Sequence, residues 1–367
     1  IMHALKRFGT AFGGYKMMEN YPVPECGPDD IILEIKAAAI CGADMKHWGV
    51  DNGYDDTNIT PDQQQSVRGH EFAGEIVKVG ENVKDWHIGQ RVVSDNSAHV
   101  CGVCPACEQG DFLCCEHKVN LGLDNNTWGG GFSKYCKIPG EILAIHKHAI
   151  WEIPEGIKYE EACVLDPICN AYKAVAQQSH LIPGQDVVVF GTGPLGLFSV
   201  QVAKLMGAVN IVMVGLDDDV KVRFGVAKEL GATHCVNGSK EDVVARCTEI
   251  CGRDNLGLVI ECSGANIALK QAIEMTRPNA EIVRVGMGFK PLEFSINDIT
   301  AWNKSIIGHM AYDSTSWRNC IRLLQSGQIK VQPMITHRLG LSQWQEGFDK
   351  MAKKEAIKVI FHYDYED

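Results

Sequence analysis

Val187-Val188-Val189-Phe190 runs without a break into Gly191-Thr192-Gly193-Pro194-Leu195-Gly196, and the apolar residues that follow, Leu197, Val200, Val202 and Leu205, recur at helical spacing. The pattern predicts a buried strand, a tight turn and a helix. In such a turn Gly191 permits the sharp change of direction, Gly193 lets backbone approach a pyrophosphate, and Gly196 lets helix and strand pack closely. Pro194 and Leu195 open the helix, whose free N–H groups face the bend and suit an anion. A glycine-rich connection with no ligand is the bland alternative. Its place between an unmistakable strand and helix favours dinucleotide binding.

At 367 residues the chain exceeds one ordinary core, which predicts two domains. A net charge of −11 with no basic stripe argues against nucleic acid and against anionic membranes as partners. No stretch approaches the ~18 apolar residues of a membrane span, and Ile1-Met2-His3-Ala4-Leu5-Lys6-Arg7 lacks the apolar run of a signal peptide. The expectation is a cytoplasmic protein. Its fifteen cysteines, several at two-residue spacing, are then better read as thiolate ligands and buried thiols than as disulfides.

Cys41 follows the alternating run Ile31-Ile32-Leu33-Glu34-Ile35-Lys36-Ala37, and Gly69-His70-Glu71 opens a second alternating run. One thiolate, one imidazole and one carboxylate suit a catalytic zinc with an open coordination position. Between them lies an acidic, polar stretch, residues 49–67, expected as a surface loop. Cys101, Cys104, Cys107 and Cys115, spaced C-x2-C-x2-C-x7-C, offer four thiolates to a closed, structural zinc site. An iron–sulfur cluster is the rival, and the spacing does not separate Cys115 from its neighbour Cys114.

Cys41, Gly69-His70-Glu71, the four-cysteine segment and the Gly191–Gly196 turn, in that order, resemble the zinc-dependent medium-chain dehydrogenase/reductase family, and within it the sorbitol (polyol) dehydrogenase group. The resemblance implies an α/β protein: a GroES-like, β-rich catalytic domain over 1–160 and 301–367, and a Rossmann domain with a doubly wound parallel sheet over 161–300. It also implies a homodimer or homotetramer. The implied reaction passes hydride between NAD(P) and a secondary hydroxyl of a polyol, sugar or sugar acid. Two positions depart from the family pattern. Asp166, before Pro167, stands where the polyol group usually has glutamate, so contact with the metal through water is the more natural expectation. Ala43 stands where a serine or threonine would relay the alcohol proton, which leaves ordered water, Lys46 or His47. These departures keep open a zinc- and nucleotide-binding regulatory relative with little turnover; a dehydrogenase of simpler alcohols is the other alternative.

Beyond the turn, alternating strands and helices predict a parallel sheet: Val209 to Gly215 strand, Lys221 to Leu230 helix, Glu241 to Cys251 helix, Leu256 to Glu261 strand, Ile267 to Thr276 helix, Ile282 to Gly286 strand. Ser263, Val285 and Gly286 fall at carboxyl ends of strands, where such sheets bind ligands. The acid that would hold the adenosine ribose is replaced by Gly215. Either Asp217 or Asp218 reaches back and the cofactor is NAD, or Gly215 makes room for a phosphate held by Lys221 or Arg223 and it is NADP. Three carboxylates in the loop favour NAD. The acidic residues from Asp51 to Asp62, with Asn52, Asn58 and Gln63 to Gln65, suit neutral hydroxyls over phosphates, and Trp48 offers a ring for a carbon chain or simply packs in the core.

Overall fold

The computed structural model describes residues 1–8, 14–48, 65–124, 127–288 and 290–366, without the side chains of Lys46 and His47. The acidic stretch Asp51–Asp62, with Gln63 and Gln64, lies outside the described residues, as does the side chain of Lys46. The chain divides into two compact units: Ile1–Asp166 with Asp313–Thr315 and Ile335–Asp367, and Pro167–Tyr312 with Ser316–Met334.

The second unit is built on Val187–Phe190, whose four side chains are all buried. A strand that apolar belongs in the middle of a sheet covered on both faces. The six strands, all parallel, lie in the order His234–Asn237, Ile211–Gly215, Val187–Phe190, Leu258–Glu261, Glu281–Arg284, Ser305–Gly308. The chain starts at the centre, winds outward one way, then crosses and winds out the other. The reversal beside Val187–Phe190 is the crevice where doubly wound sheets take ligands. Val188, Val212, Val259, Leu269 and Ile282 form part of the core on one face. Helix Val243–Cys251 begins where Asp242 Oδ1 accepts the Ala245 N–H at 3.0 Å, two residues later than the apolar pattern predicts. An extra helical turn, Asp217–Val220, precedes helix Arg223–Leu230.

This unit keeps more of the chain than expected. Strand Ser305–Gly308 pairs in parallel with Glu281–Arg284, and most of helix Ser314–Gln325 stays with it, so the return to the first unit falls at Ile335 and not near 301. Apolar runs mark elements but carry no label of the domain they join.

The first unit is organised by Ile31–Ala39, which pairs antiparallel with Glu71–Val79, Tyr135–Ile138 and Lys358–His362 in a seven-stranded sheet. Ala39 lies opposite both Glu71 and Ile360, which ties the C-terminal strand to the N-terminal core. Leu33, Phe72, Ile76, Phe132, Phe348 and Phe361 pack there, with the Phe132 and Phe361 rings edge-to-face at 5.4 Å.

Candidate functional site

The register of two strands assembles the first cluster. Because Ala39 faces Glu71, Cys41 just beyond one strand and His70 just before the other arrive at the same end of the sheet. Cys41 Sγ, a His70 ring nitrogen and a Glu71 carboxylate oxygen lie within 4.8 Å of one another. Gly69 makes the approach: at φ 89° it sits so close to Phe132 that an added Cβ would lie 2.6 Å from the ring.

Residues around the cluster fix its members. Asp44, fully buried, accepts the Cys41 N–H at 3.0 Å through Oδ2 and an Arg68 guanidinium N–H at 3.2 Å through Oδ1, which also lies 4.0 Å from His70 Nδ1. Lys358 reaches in from the last strand, donating to the Ile40 carbonyl at 3.0 Å and to Glu71 Oε2. Glu71 Oε1 has no hydrogen-bond partner among the described residues although it is buried. Burial, above all, pushes the Glu71 carboxyl well above the usual carboxylate range against the pull of Lys358, and burial likewise raises the Cys41 thiol. A carboxylate oxygen beside a thiol and an imidazole makes a donor set that can hold a cation, and soft sulfur with nitrogen and oxygen fits zinc.

Asp166 lies in the first turn of helix Leu165–Tyr172, inside it and not at its N-cap as the local pattern allows. Asn96 Nδ2 donates to its Oδ2 at 3.0 Å. Its charge contributes to raising both Cys41 and Glu71, yet it stands outside the 4.8 Å cluster. Ala43 precedes the short 3-10 turn Asp44–His47 and offers no hydroxyl. Trp48 is not a free platform: its ring packs edge-on to Tyr15, Trp344 and Phe348, and its Nε1 donates to Asp349 at 3.1 Å.

The sulfurs of Cys101, Cys104, Cys107 and Cys115 also lie within 4.8 Å of one another, whereas Cys114 is exposed and outside the group. Helix Pro105–Glu108 starts at Cys104 and buries Cys107, and the turn Phe112–Cys114 brings Cys115 back. The Val103 N–H, foremost, and that of Cys104 donate to Cys101 Sγ and bring its pKa down to about 6, while burial pushes Cys107 up to about 12. Backbone N–H groups aimed at sulfur favour thiolate, the form that binds metal.

In the second unit the glycine turn has the shape its sequence predicts. Gly191 has φ 93°, a Cβ on Gly196 would lie 1.8 Å from the Gly191 carbonyl oxygen, and nothing stands within 4 Å of a Cβ on Gly193. That open side, at the start of helix Pro194–Leu205, leaves room for a phosphate. The neighbouring strand ends close around it. Ser263 and Gly264 donate their N–H groups to Glu261 Oε1 at 2.7 and 2.9 Å, and those of Val285 and Gly286 donate to the Glu261 carbonyl, each at 2.8 Å. Asp217 turns to the outer strand, accepting from Asn237 Nδ2 at 2.7 Å and lying 3.2 Å from Lys240 Nζ, and Asp218 is exposed. Asp219, counted in the sequence among the loop's three carboxylates but not as a ribose ligand, is the buried one of the three, 3.4 Å from Arg223 Nη1.

Asp44, Arg68, Asn96, Lys358 and Asp219 carry no sequence motif of their own. The one available signal was Lys358, a charge inside the apolar run Ile357-Lys358-Val359-Ile360-Phe361, where lysine stays only if paired.

Residues 27–148 match the family described as alcohol dehydrogenase GroES-like domain, and residues 194–326 the family described as zinc-binding dehydrogenase. The chain is 77% identical over 366 residues to an uncharacterized zinc-type alcohol dehydrogenase-like protein, YdjL, of Escherichia coli (strain K12), covering 100% of both chains. It is 30% identical over 360 residues to the sorbitol dehydrogenase of Halalkalibacterium halodurans, covering 98% of each. The solved structure of 2R,3R-butanediol dehydrogenase from Bacillus subtilis is similar to it with a TM-score of 0.83 at 29% identity, over 99% of this chain and 100% of that one. With both domains matched and relatives alike from end to end, the chain belongs to the zinc-dependent medium-chain dehydrogenase/reductase family, as an NAD(P)-dependent enzyme of the alcohol and polyol dehydrogenase type.

Proposed function

We propose that Cys41, His70 and Glu71 hold the catalytic zinc of an enzyme that oxidises a secondary hydroxyl of an unphosphorylated polyol or related sugar derivative. The observation that carries the site assignment is the cluster of Cys41, His70 and Glu71, beside which Glu71 Oε1 is buried without a hydrogen-bond partner among the described residues. Zinc held there would supply Lewis acidity that brings an alcohol's pKa toward neutrality, and a nicotinamide held by the second unit would supply the hydride acceptor. The residues around the site divide the remaining work. Lys358 holds Glu71, Asp44 holds the Cys41 backbone, and Asn96 holds the Asp166 carboxylate where it can bond water or a substrate hydroxyl. Cys101, Cys104, Cys107 and Cys115 hold a second zinc with no open position, which stabilises their loop.

The substrate class rests on charge. Relatives of similar identity act on substrates as different as sorbitol and L-threonine, so likeness alone does not select one. The acidic, amide-rich sequence from Asp51 to Gln65 suits neutral hydroxyls and disfavours a phosphate dianion. A panel of polyols, sugar acids, sugar phosphates, L-threonine and simple alcohols, assayed with NAD and NADP, tests this. A site that pairs several hydroxyls rejects compounds lacking them by orders of magnitude. Equal kcat/KM for ethanol or a sugar phosphate would overturn the assignment.

We also propose a homo-oligomer, formed through the edge strand Ser305–Gly308, around which Ile306, Met310 and Trp302 are 38%, 46% and 52% exposed. An unpaired apolar edge invites a second copy. A monomer by light scattering would exclude this. None of the fifteen cysteines forms a disulfide, and no helix among the described residues is long and apolar enough to cross a membrane. The free thiols fit the reducing cytoplasm, where we place the protein.

A further inference from the structure

The strand Ile211–Gly215 ends in a glycine at which a Cβ would crowd three neighbouring side chains. A Cβ on Gly215 would lie 2.6 Å from Thr192 Cγ2, 2.7 Å from Phe224 Cε1 and 3.0 Å from Asp219 Oδ2. Thr192 belongs to the phosphate-binding turn itself, between Gly191 and Gly193. The corner where a strand-end acid would meet the adenosine ribose is therefore filled, and one of the atoms filling it is a carboxylate oxygen that arrives from further along the chain.

Asp219 reaches that position because of the extra turn Asp217–Val220. Its Oδ2 accepts the Leu216 N–H at 2.8 Å, which folds the turn back over Gly215, and its Oδ1 lies 3.4 Å from Arg223 Nη1. Asp219 is 5% exposed, and Arg223 is largely buried beside it. Asp217 is engaged with Lys240 and with Asn237, the residue paired with Gly215 on the outer strand.

Taking as given that the Gly191–Gly196 turn binds the dinucleotide, we propose that Asp219 sets coenzyme choice: its carboxylate stands in for the missing strand-end acid beside Gly215 and occupies Arg223, so that NAD is accepted and NADP refused. A carboxylate accepts hydrogen bonds from ribose hydroxyls and repels the dianion that NADP carries at the same carbon. Arg223 is the nearby cation that could hold that phosphate, and its pairing with Asp219 withholds it.

The test is equilibrium binding of NAD+ and of NADP+, followed by titration calorimetry on the zinc-loaded protein, with no turnover involved. Wild type should prefer NAD+. Asp219→Asn keeps an acceptor for the Leu216 N–H but removes the charge; it should weaken NAD+ by about tenfold, the size of one charged hydrogen bond, and strengthen NADP+. Adding Arg223→Ala in that background should remove the gained NADP+ affinity. Asp217→Ala should leave the ratio of the two affinities within about twofold, since a charge this exposed contributes little. A merely structural role for Asp219 would weaken both coenzymes alike and leave their ratio fixed, which would overturn the proposal. A wild-type preference for NADP+, or a ratio that moves with Asp217→Ala and not with Asp219→Asn, would overturn it too, leaving the dehydrogenase assignment intact. Failure of wild type to bind either coenzyme would instead remove the dinucleotide site on which the proposal stands.

Discussion

The Lys358 ammonium donates to Glu71 Oε2 from the last strand of the chain, with both side chains shut off from solvent at 1% and 0% exposure. One carboxylate oxygen is thereby spoken for, and the other, Oε1, has no hydrogen-bond partner among the described residues. The pair shows why the C-terminal strand belongs with the N-terminal domain: it supplies the counter-charge that a buried carboxylate requires.

Lys358→Met should therefore destabilise the zinc-stripped protein by about 3–5 kcal/mol, the cost of leaving a buried carboxylate unpaired. The penalty should shrink when zinc is bound, because a cation then compensates Glu71. Urea unfolding of wild type and variant, with and without chelator, measures both differences. An equal penalty in the two states would argue against Glu71 as a ligand.

Cys41→Ser should remove several kcal/mol of charge stabilisation, about three orders of magnitude in kcat at 1.4 kcal/mol per decade. NAD+ affinity should stay within about twofold, an allowance well inside the 1.4 kcal/mol that tenfold represents, because Cys41 and the glycine turn belong to separate units. Steady-state kinetics beside direct coenzyme titration separates the two effects. A comparable loss of coenzyme affinity would contradict the assignment.

Cys104→Ser should lower the metal content from about two zinc ions per chain to about one. The protein should also melt earlier, since a closed site contributes its binding energy to folding. Metal analysis by mass spectrometry, with a thermal melt, decides it; two zinc ions in the variant would refute the four-sulfur site.

His309 gives a pH signature independent of the metals. Its ring nitrogens lie 2.6 Å from Gln178 Oε1 and 3.1 Å from Asn170 Oδ1, and burial, with a smaller push from Lys173, brings its pKa down from 6.5 to about 4. Between those values the unfolded chain binds a proton that the folded chain does not. Stability should thus fall as pH drops from about 6.5 toward 4, by at most about 3 kcal/mol. In His309→Gln the urea midpoint should vary less over the same window. An unchanged slope would place the effect elsewhere.

The local elements were legible in the sequence because their causes are local. Val187–Phe190 is a strand because it is uniformly apolar, Gly191 and Gly196 admit no side chain, and four cysteines two to seven residues apart can meet within one loop. Cys41, His70 and Glu71 could be named as candidates from residue type and spacing alone. Their meeting was decided by the register that sets Ala39 opposite Glu71, which is a property of two paired strands and of neither strand singly. The same holds for what surrounds them. Lys358 pairs with a residue 287 positions away, and nothing local in either segment records that distance. Asp219 was hidden for a subtler reason: three consecutive aspartates are chemically alike, and only the folding of the extra turn over Gly215 buries one of them and leaves the other two in solvent. Composition and spacing fixed which chemistry the chain could carry; the assignment of partners required tertiary structure, because the free energy of a buried charge depends on what lies within a few ångströms and not on what lies nearby in sequence.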